Sequence, residues 1–252
     1  MRILYEGTDI SNSIAVNKAD IYDNAGGIAD TIELKMTDTE GYWSQWKPQK
    51  GDTIEVTDQG ASSGLMFIDQ LEQERGQFLL KAISTPLDAK TCRTKAWENI
   101  RFLALAEEIA GQYGFTLQTY DLTDWQYTRL NQKDQTDFEF LRQRCLLEGY
   151  MLKITNRSVI VYNEQHQESE PAAETIYVYD FDGRYNFQAI SSGLFHSCVV
   201  EYESSTSGLI TSEFTPQSAP AGGILREKET LISSQAEADR FSRNLLRSKN
   251  KY

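Results

Sequence analysis

The chain has little of what metal, redox or nucleophilic chemistry needs. It holds two histidines, His166 and His196, far apart and without a second ligand at zinc-site spacing. Its three cysteines, Cys92, Cys145 and Cys198, are odd in number and widely spaced, which argues against a disulfide framework. Cys145 and Cys198 lie among apolar residues and read as small buried hydrophobes. No GxSxG, HExxH, GxxxxGK[ST] or GxGxxG pattern occurs, so the nucleophile-elbow, zinc-hydrolase, P-loop and dinucleotide classes have no footing. The expectation is no catalytic site, no cofactor and no metal. No apolar run approaches the ~20 residues that span a bilayer. The opening MRILYEGTDIS has no apolar segment of the signal-peptide kind, so the chain is expected to fold in the cytoplasm of the cell that makes it.

Positive charge is also short. There are 25 Lys and Arg against 37 Asp and Glu, a net charge of −12, spread along the chain rather than gathered in a tail. Nucleic-acid binding and attraction to anionic lipid need clustered cations and are not expected. What is present is enough for a core: 40% of residues are hydrophobic, and 13 Tyr, 11 Phe and 4 Trp suit a strand-rich protein.

Residues 1–95 read as a β domain. Strands are expected over Arg2–Glu6, over Ile14–Tyr22 and Asp30–Met36, where apolar and polar residues alternate, and over Thr53–Thr57 after the Gly51-Asp52 turn. Pro48 excludes a central strand in GYWSQWKPQKGD. Leu65–Glu74 and Gln77–Ser84 form a hairpin across Glu74-Arg75-Gly76. Short strands with regular turn signals indicate a small barrel or a sandwich.

The period then changes. Leu103, Ala106, Ile109 and Tyr113 share a helical face, predicting a helix over Asn99–Tyr113, then Gly114 and a strand over Phe115–Gln118. The same grammar returns in NQKDQTDFEFLRQRCLLEGYMLKITNRSVIVY, from Asn131 to Tyr162. Thr136 and Glu139 make a capping box, Phe138, Leu141 and Cys145 share a face, and Gly149 closes the helix. Two strands follow, joined across Thr155-Asn156-Arg157. The reading is an α/β subdomain of two related units over residues 96–165.

Glu164–Glu174 is polar, contains Pro171 and reads as a linker. Strands are expected over Thr175–Phe181, Phe195–Glu203 and Leu209–Phe214, with a turn at Asp182-Gly183-Arg184 and loops at Ser204–Gly208 and Thr215–Gly223. Ser234 and Glu237 start a last helix toward Ser248. Its Arg240, Arg243, Arg247, Lys249 and Lys251 suit a solvated helix C-terminus. Residues 174–252 thus read as a second β domain with a C-terminal helix.

Two carboxylate pairs, Asp180/Asp182 and Glu201/Glu203, have strand spacing and could flank a glycosidic bond. An exposed strand face explains them equally well. Asp121, Asp124, Asp134 and Asp137 fit turn and helix-start roles. Tyr42, Trp43 and Trp46 could form a sugar platform, but packing at a domain edge or a subunit interface is the more common use of such residues. With Pro216 and Pro220 in the 215–223 loop, they are the candidate protein-interface residues.

Three stretches carry a resemblance. They are MTDTEGYWSQWKPQKGDTIEV, with a Pro and a Gly-Asp before a strand; GLMFIDQLE; and QKDQTDFEFLRQRCLLEGYMLKI, a helix opening on Asp-x-Glu-Phe-Leu and closing on Glu-Gly-Tyr. In these the chain resembles the baseplate hub proteins of contractile phage tails, the late control gene D family, related to the hub part of the VgrG proteins of type VI secretion. The resemblance covers most of residues 28–165 and is looser over 174–252. It implies a mainly β fold with an α/β insertion, two small β-barrel domains flanking a helix–strand subdomain. It also implies a homotrimeric ring joining a hexameric tail tube to a trimeric central spike, with tape-measure and baseplate wedge proteins as further neighbours. The implied location is a virion or a phage-tail-like particle, a bacteriocin-like tail (tailocin) included, assembled in the bacterial host cytoplasm. In longer members the chain continues beyond the helix that matches Ser234–Ser248, so here the second barrel is either minimal or completed by another chain. A tail-tip peptidoglycan- or glycan-acting enzyme and a carbohydrate-binding β module are the alternatives.

Overall fold

The computed structural model describes residues 1–180, 193–204, 208–228 and 230–250. Its first part is one sheet. The strands are β1 (Arg2–Tyr5), β2 (Thr8–Asp9), β3 (Ala15–Tyr22), β4 (Thr31–Thr37), β5 (Thr53–Asp58), β6 (Ala61–Ser62), β7 (Met66–Glu74) and β8 (Gln77–Ile83). The order is β2-β1-β5-β7-β8-β4-β3, with β6 paired to β5. All neighbours are antiparallel. The period of two decides which side is buried. Ile32, Leu34 and Met36 on β4, Ile54 and Val56 on β5, and Phe78, Leu80 and Ala82 on β8 all point inward into one cluster. Each fully buried aliphatic side chain here contributes roughly 1.5–3 kcal/mol over exposure. The short helix α1 (Tyr42–Trp46) drops Trp43 into this cluster.

The path of pairing is open. β2 and β3 end the row, and among the described residues no sheet closes on itself. The expected barrels therefore give way to several separate sheets in a mainly β fold.

The second part opens on an antiparallel pair that the sequence reading missed, β9 (Arg93–Arg101) and β11 (Gln126–Gln135). Between them lie α2 (Phe102–Gln112) and β10 (Thr116–Tyr120). The predicted helix over Asn99–Tyr113 starts three residues late because Asn99–Arg101 belong to β9. Asp124 caps α2 from a distance, accepting from the Leu103 N–H at 2.9 Å. Next come α3 (Asp137–Glu148), β12 (Tyr150–Thr155) and β13 (Ser158–Asn163). The α3 start is a full capping box, with Thr136 and Glu139 bonding each other's backbone. Gly149 ends α3 at φ 77, a left-handed conformation that favours glycine, and a Cβ there would crowd the Asn244 side chain at 3.0 Å. β10 pairs parallel with β13, and β12 pairs antiparallel with it. Asn156 and Arg157 both have positive φ, as a tight hairpin turn demands. The cluster beneath joins α2 and α3 to both sheets through Phe102, Ile109, Leu141 and Val161.

The expected linker begins as a short helix, α4 (Glu164–Ser169), capped by the Asn163 side chain. The strand expected over Thr175–Phe181 is absent through Asp180; Val178–Asp180 is a 3-10 turn. Phe181, the Asp182-Gly183-Arg184 turn, most of the Ser204–Gly208 loop and Lys251 lie outside the described residues. The last part is a three-stranded sheet, β15-β14-β16, of β14 (Phe195–Ser204), β15 (Gly208–Phe214) and β16 (Gly223–Glu227), with α5 (Gln235–Lys249) packed on β14 and β15. β16, not anticipated, runs parallel to β14. Ser234 caps α5, while Glu237 reaches the Ser233 N–H at 2.7 Å rather than that of Ser234.

Candidate interaction surfaces

The aromatic helix α1 splits its residues by face. Tyr42 and Trp46, four apart, are 46% and 37% exposed, and their rings stack at 6.3 Å. Trp43 is 1% exposed, lies against Phe78 at 4.9 Å and donates its backbone N–H to Asp38. Trp43 therefore belongs to the core of its own sheet, a correction that rests on its packing against Phe78 and the rest of the buried cluster. Pro216 and Pro220 are half-buried in the loop between β15 and β16, where the Pro220 carbonyl faces His196 Nδ1 at 3.2 Å. Among the described residues, no hydrogen bond or ring contact joins that loop to Tyr42 or Trp46.

The most exposed apolar run lies elsewhere. Ile176, Tyr177, Val178 and Tyr179 are 69%, 53%, 62% and 79% exposed, and the two tyrosine rings stack at 5.1 Å. Ile28 is also far out of the core at 72%. It stands beside a cleft of about 300 Å³ between the 27–29 loop and the start of α3, with Phe138, Leu152 and Ile154 among its walls.

Of the carboxylate pairs, Glu201/Glu203 does not have the surroundings of an acid–base pair. Glu201 is held by Lys228 at 2.9 Å and Arg226 at 3.3 Å. The hydrogen bond from Lys228 holds its pKa below the usual range, opposite to what a general acid requires. Glu203 is exposed, and Asp182 lies outside the described residues. His166 sits near Asp121 and Glu170, at 3.3 and 3.4 Å. Among the described residues no group of three or more His, Cys, Asp or Glu is placed to hold a metal. Burial pushes the Cys198 thiol up to about 11 and the buried Cys145 thiol up as well, so neither is a poised nucleophile. Asp137, expected only at a helix start, is buried. Burial opposes its charge, but hydrogen bonds from Gln132, Tyr113 and Gln112 outweigh that and hold its pKa low.

Two polar clamps join the three parts. In the first, Lys153 on β12 reaches into the 23–30 turn, bonding the Asn24 carbonyl at 2.6 Å and Asp30 at 3.1 Å and pairing with Asp23. Gly27 N–H and Tyr162 O–H add bonds to Leu152 and Ala25 carbonyls. In the second, Glu148 at the end of α3 is fully buried and takes a two-point contact from Arg240 of α5, at 2.5 and 3.1 Å, plus the Tyr127 hydroxyl at 2.7 Å. The Arg240 guanidinium also lies over Trp125 at 3.8 Å. Burial works against its charge, yet Glu148 keeps its pKa raised. Next to this pair Arg144 is buried with its Nε unbonded, and burial lowers its pKa. Arg240 was expected at a solvated helix end. A signal was available in Glu148, an acid in the last turn of a helix, where the dipole disfavours it and a cation must compensate.

No protein-family model matches the chain, and no curated protein matches it by sequence. Solved structures do. The 43 kDa tail protein of prophage MuSo2 from Shewanella oneidensis superposes with a TM-score of 0.72 at 13% identity, covering 98% of this chain and 78% of that one. A tail protein from Neisseria meningitidis gives 0.68 at 10% identity, covering 95% and 73%. Prophage tail protein gp18 from Listeria monocytogenes gives 0.59 at 11%, covering 97% and 76%. At these identities the likeness is one of fold, and it extends over nearly the whole chain.

Proposed function

We propose that the chain is a structural component of a phage tail or phage-tail-like injection particle, and within it the baseplate hub. The observation that carries the reading is the fold shared with three tail proteins over at least 95% of this chain. In this reading copies close into a homotrimeric ring that adapts a hexameric tail tube to a trimeric spike. The exposed run Ile176–Tyr179 and the outward pair Tyr42 and Trp46 supply apolar surface for such contacts. The chain divides as 1–95, 96–165 and 174–252, a division supported by three apolar clusters, with Phe67, Ala89 and Leu147 reaching across. The role is one of binding and geometry, without catalysis. The net charge of −12 fits a ring whose acidic bore does not hold a passing nucleic acid; a predominantly basic bore would contradict that part.

The test is localisation. An antibody raised against the chain, gold-labelled and applied to tail particles released by the producing cell, should decorate the baseplate end. Particles complete in the microscope but free of label there would overturn the assignment.

A further inference from the structure

We propose that the cleft between the 27–29 loop and α3 receives the Glu174–Tyr179 segment of a second copy of this chain; the inference rests on the ring reading above. Ile176 and Val178 enter the cleft, and Glu174 pairs with Arg142. The cleft holds about 300 Å³, the lower end of the range for specific sites, and offers Phe138, Leu152 and Ile154 to an aliphatic group. Ile28 stands at the same cleft, 72% exposed. Its two cations differ. Lys90 is engaged by Asp69, whereas Arg142 has Glu139 as a neighbouring charge one turn back on the same helix. Glu139 is committed to the capping box with Thr136. The cleft thus suits an aliphatic side chain with a carboxylate nearby.

The Glu174–Tyr179 segment has that chemistry. In an extended strand residues two apart share a face, about 6.6 Å from one to the next. Glu174, Ile176 and Val178 then form one face and Thr175, Tyr177 and Tyr179 the other. Thr-Ile-Tyr-Val-Tyr is rich in strand-forming residues, yet among the described residues it joins no sheet, and its aliphatic side chains are exposed. Docking straightens the 3-10 turn at Val178–Asp180 and buries Ile176 and Val178. Among the described residues the side chains of Ile176 and Val178 and the cleft are all exposed, so each is open to the other on a second copy. Because segment and cleft are different surfaces, the contact is head-to-tail, the kind that closes rings. Two chains of net charge −12 repel, so a local pairing of Glu174 with Arg142 also sets where they meet.

The test is cross-linking between chains in a Cys92→Ser background, Cys145 and Cys198 being buried. A tagged Ile28→Cys chain is mixed with an untagged Val178→Cys chain and treated with a short bis-maleimide. The expected result is a product of mixed mass. In parallel, Arg142→Glu should weaken self-association about tenfold, a 1.4 kcal/mol effect, and Glu174→Arg in the same chain should restore it. An intact oligomer that gives no mixed product, or an Arg142→Glu variant that associates like the wild type, overturns this contact and leaves the ring reading standing. Cross-linking only when both cysteines are in one chain also overturns it. A wild type that is monomeric throughout overturns both.

Discussion

The first sheet and the last are held by different forces. β1 to β8 bury a continuous apolar face of their own, sealed by Trp43. The β14–β16 sheet has three strands, and its small cluster is completed by α5 and by Leu147 from α3. Its position depends on Glu148 and Arg240, on Asn244 bonding the Leu147 carbonyl at 2.8 Å, and on the Arg247–Glu168 pair. A buried ion pair fixes geometry well and stabilises little, but breaking it from one side costs much. The first part carries its own core, while the position of the last is set by α3. Helix α3 is therefore the part on which the whole arrangement depends.

The largest break is Leu141→Asp. It places an unpaired charge in the cluster between α2, α3 and both sheets. The expected loss is above about 4 kcal/mol, read as absence of a cooperative thermal transition; a folded, cooperative variant would show that the core lies elsewhere. Glu148→Ala comes next, leaving Arg240 and Tyr127 without their acceptor. It should cost about 3 kcal/mol, and amide exchange should rise in α5 and β14 while β4 and β8 stay protected. Equal loosening of both sheets would erase the distinction drawn above. Thr136→Ala removes one half of the capping box and should cost about 1 kcal/mol by denaturant titration. Acid should act through α3 as well. The native pKa of Asp137 lies below its ordinary 3.8. Its contribution is therefore complete above that value and lost as pH falls through the native pKa. The slope of stability against pH in that acid range should flatten in Asp137→Asn, and an unchanged slope would contradict the assignment. The smallest effect belongs to Trp46→Ala, which should leave stability within about 0.5 kcal/mol of wild type, because the ring that seals the core is Trp43.

Much of this was legible where one local pattern decides the outcome. Thr136, Glu139 and Gly149 specify α3 by themselves, and alternation specifies β4, β5 and β8. β9 and β11 were not legible because few of their residues are buried, Trp97, Tyr127, Leu130 and Gln132 among them, so no alternation shows. The three-residue overrun of α2 has the same origin. Thr175–Tyr179 reads as a strand because its side chains favour one, but a strand needs a neighbour that the sequence alone does not supply. In the aromatic segment, residue type pointed to a surface, while packing against Phe78 and the sheet buries Trp43 and leaves Tyr42 and Trp46 partly exposed. The Glu148–Arg240 clamp joins residues 92 apart in sequence, beyond the reach of any local pattern.

We propose that this chain is one copy in a closed ring of a tail particle. Sedimentation equilibrium of the purified chain over a wide concentration range measures it most directly. The account predicts a limiting mass three times that of the chain, with no larger species as concentration rises. A single species of monomer mass at every concentration, or growth without limit, would contradict it.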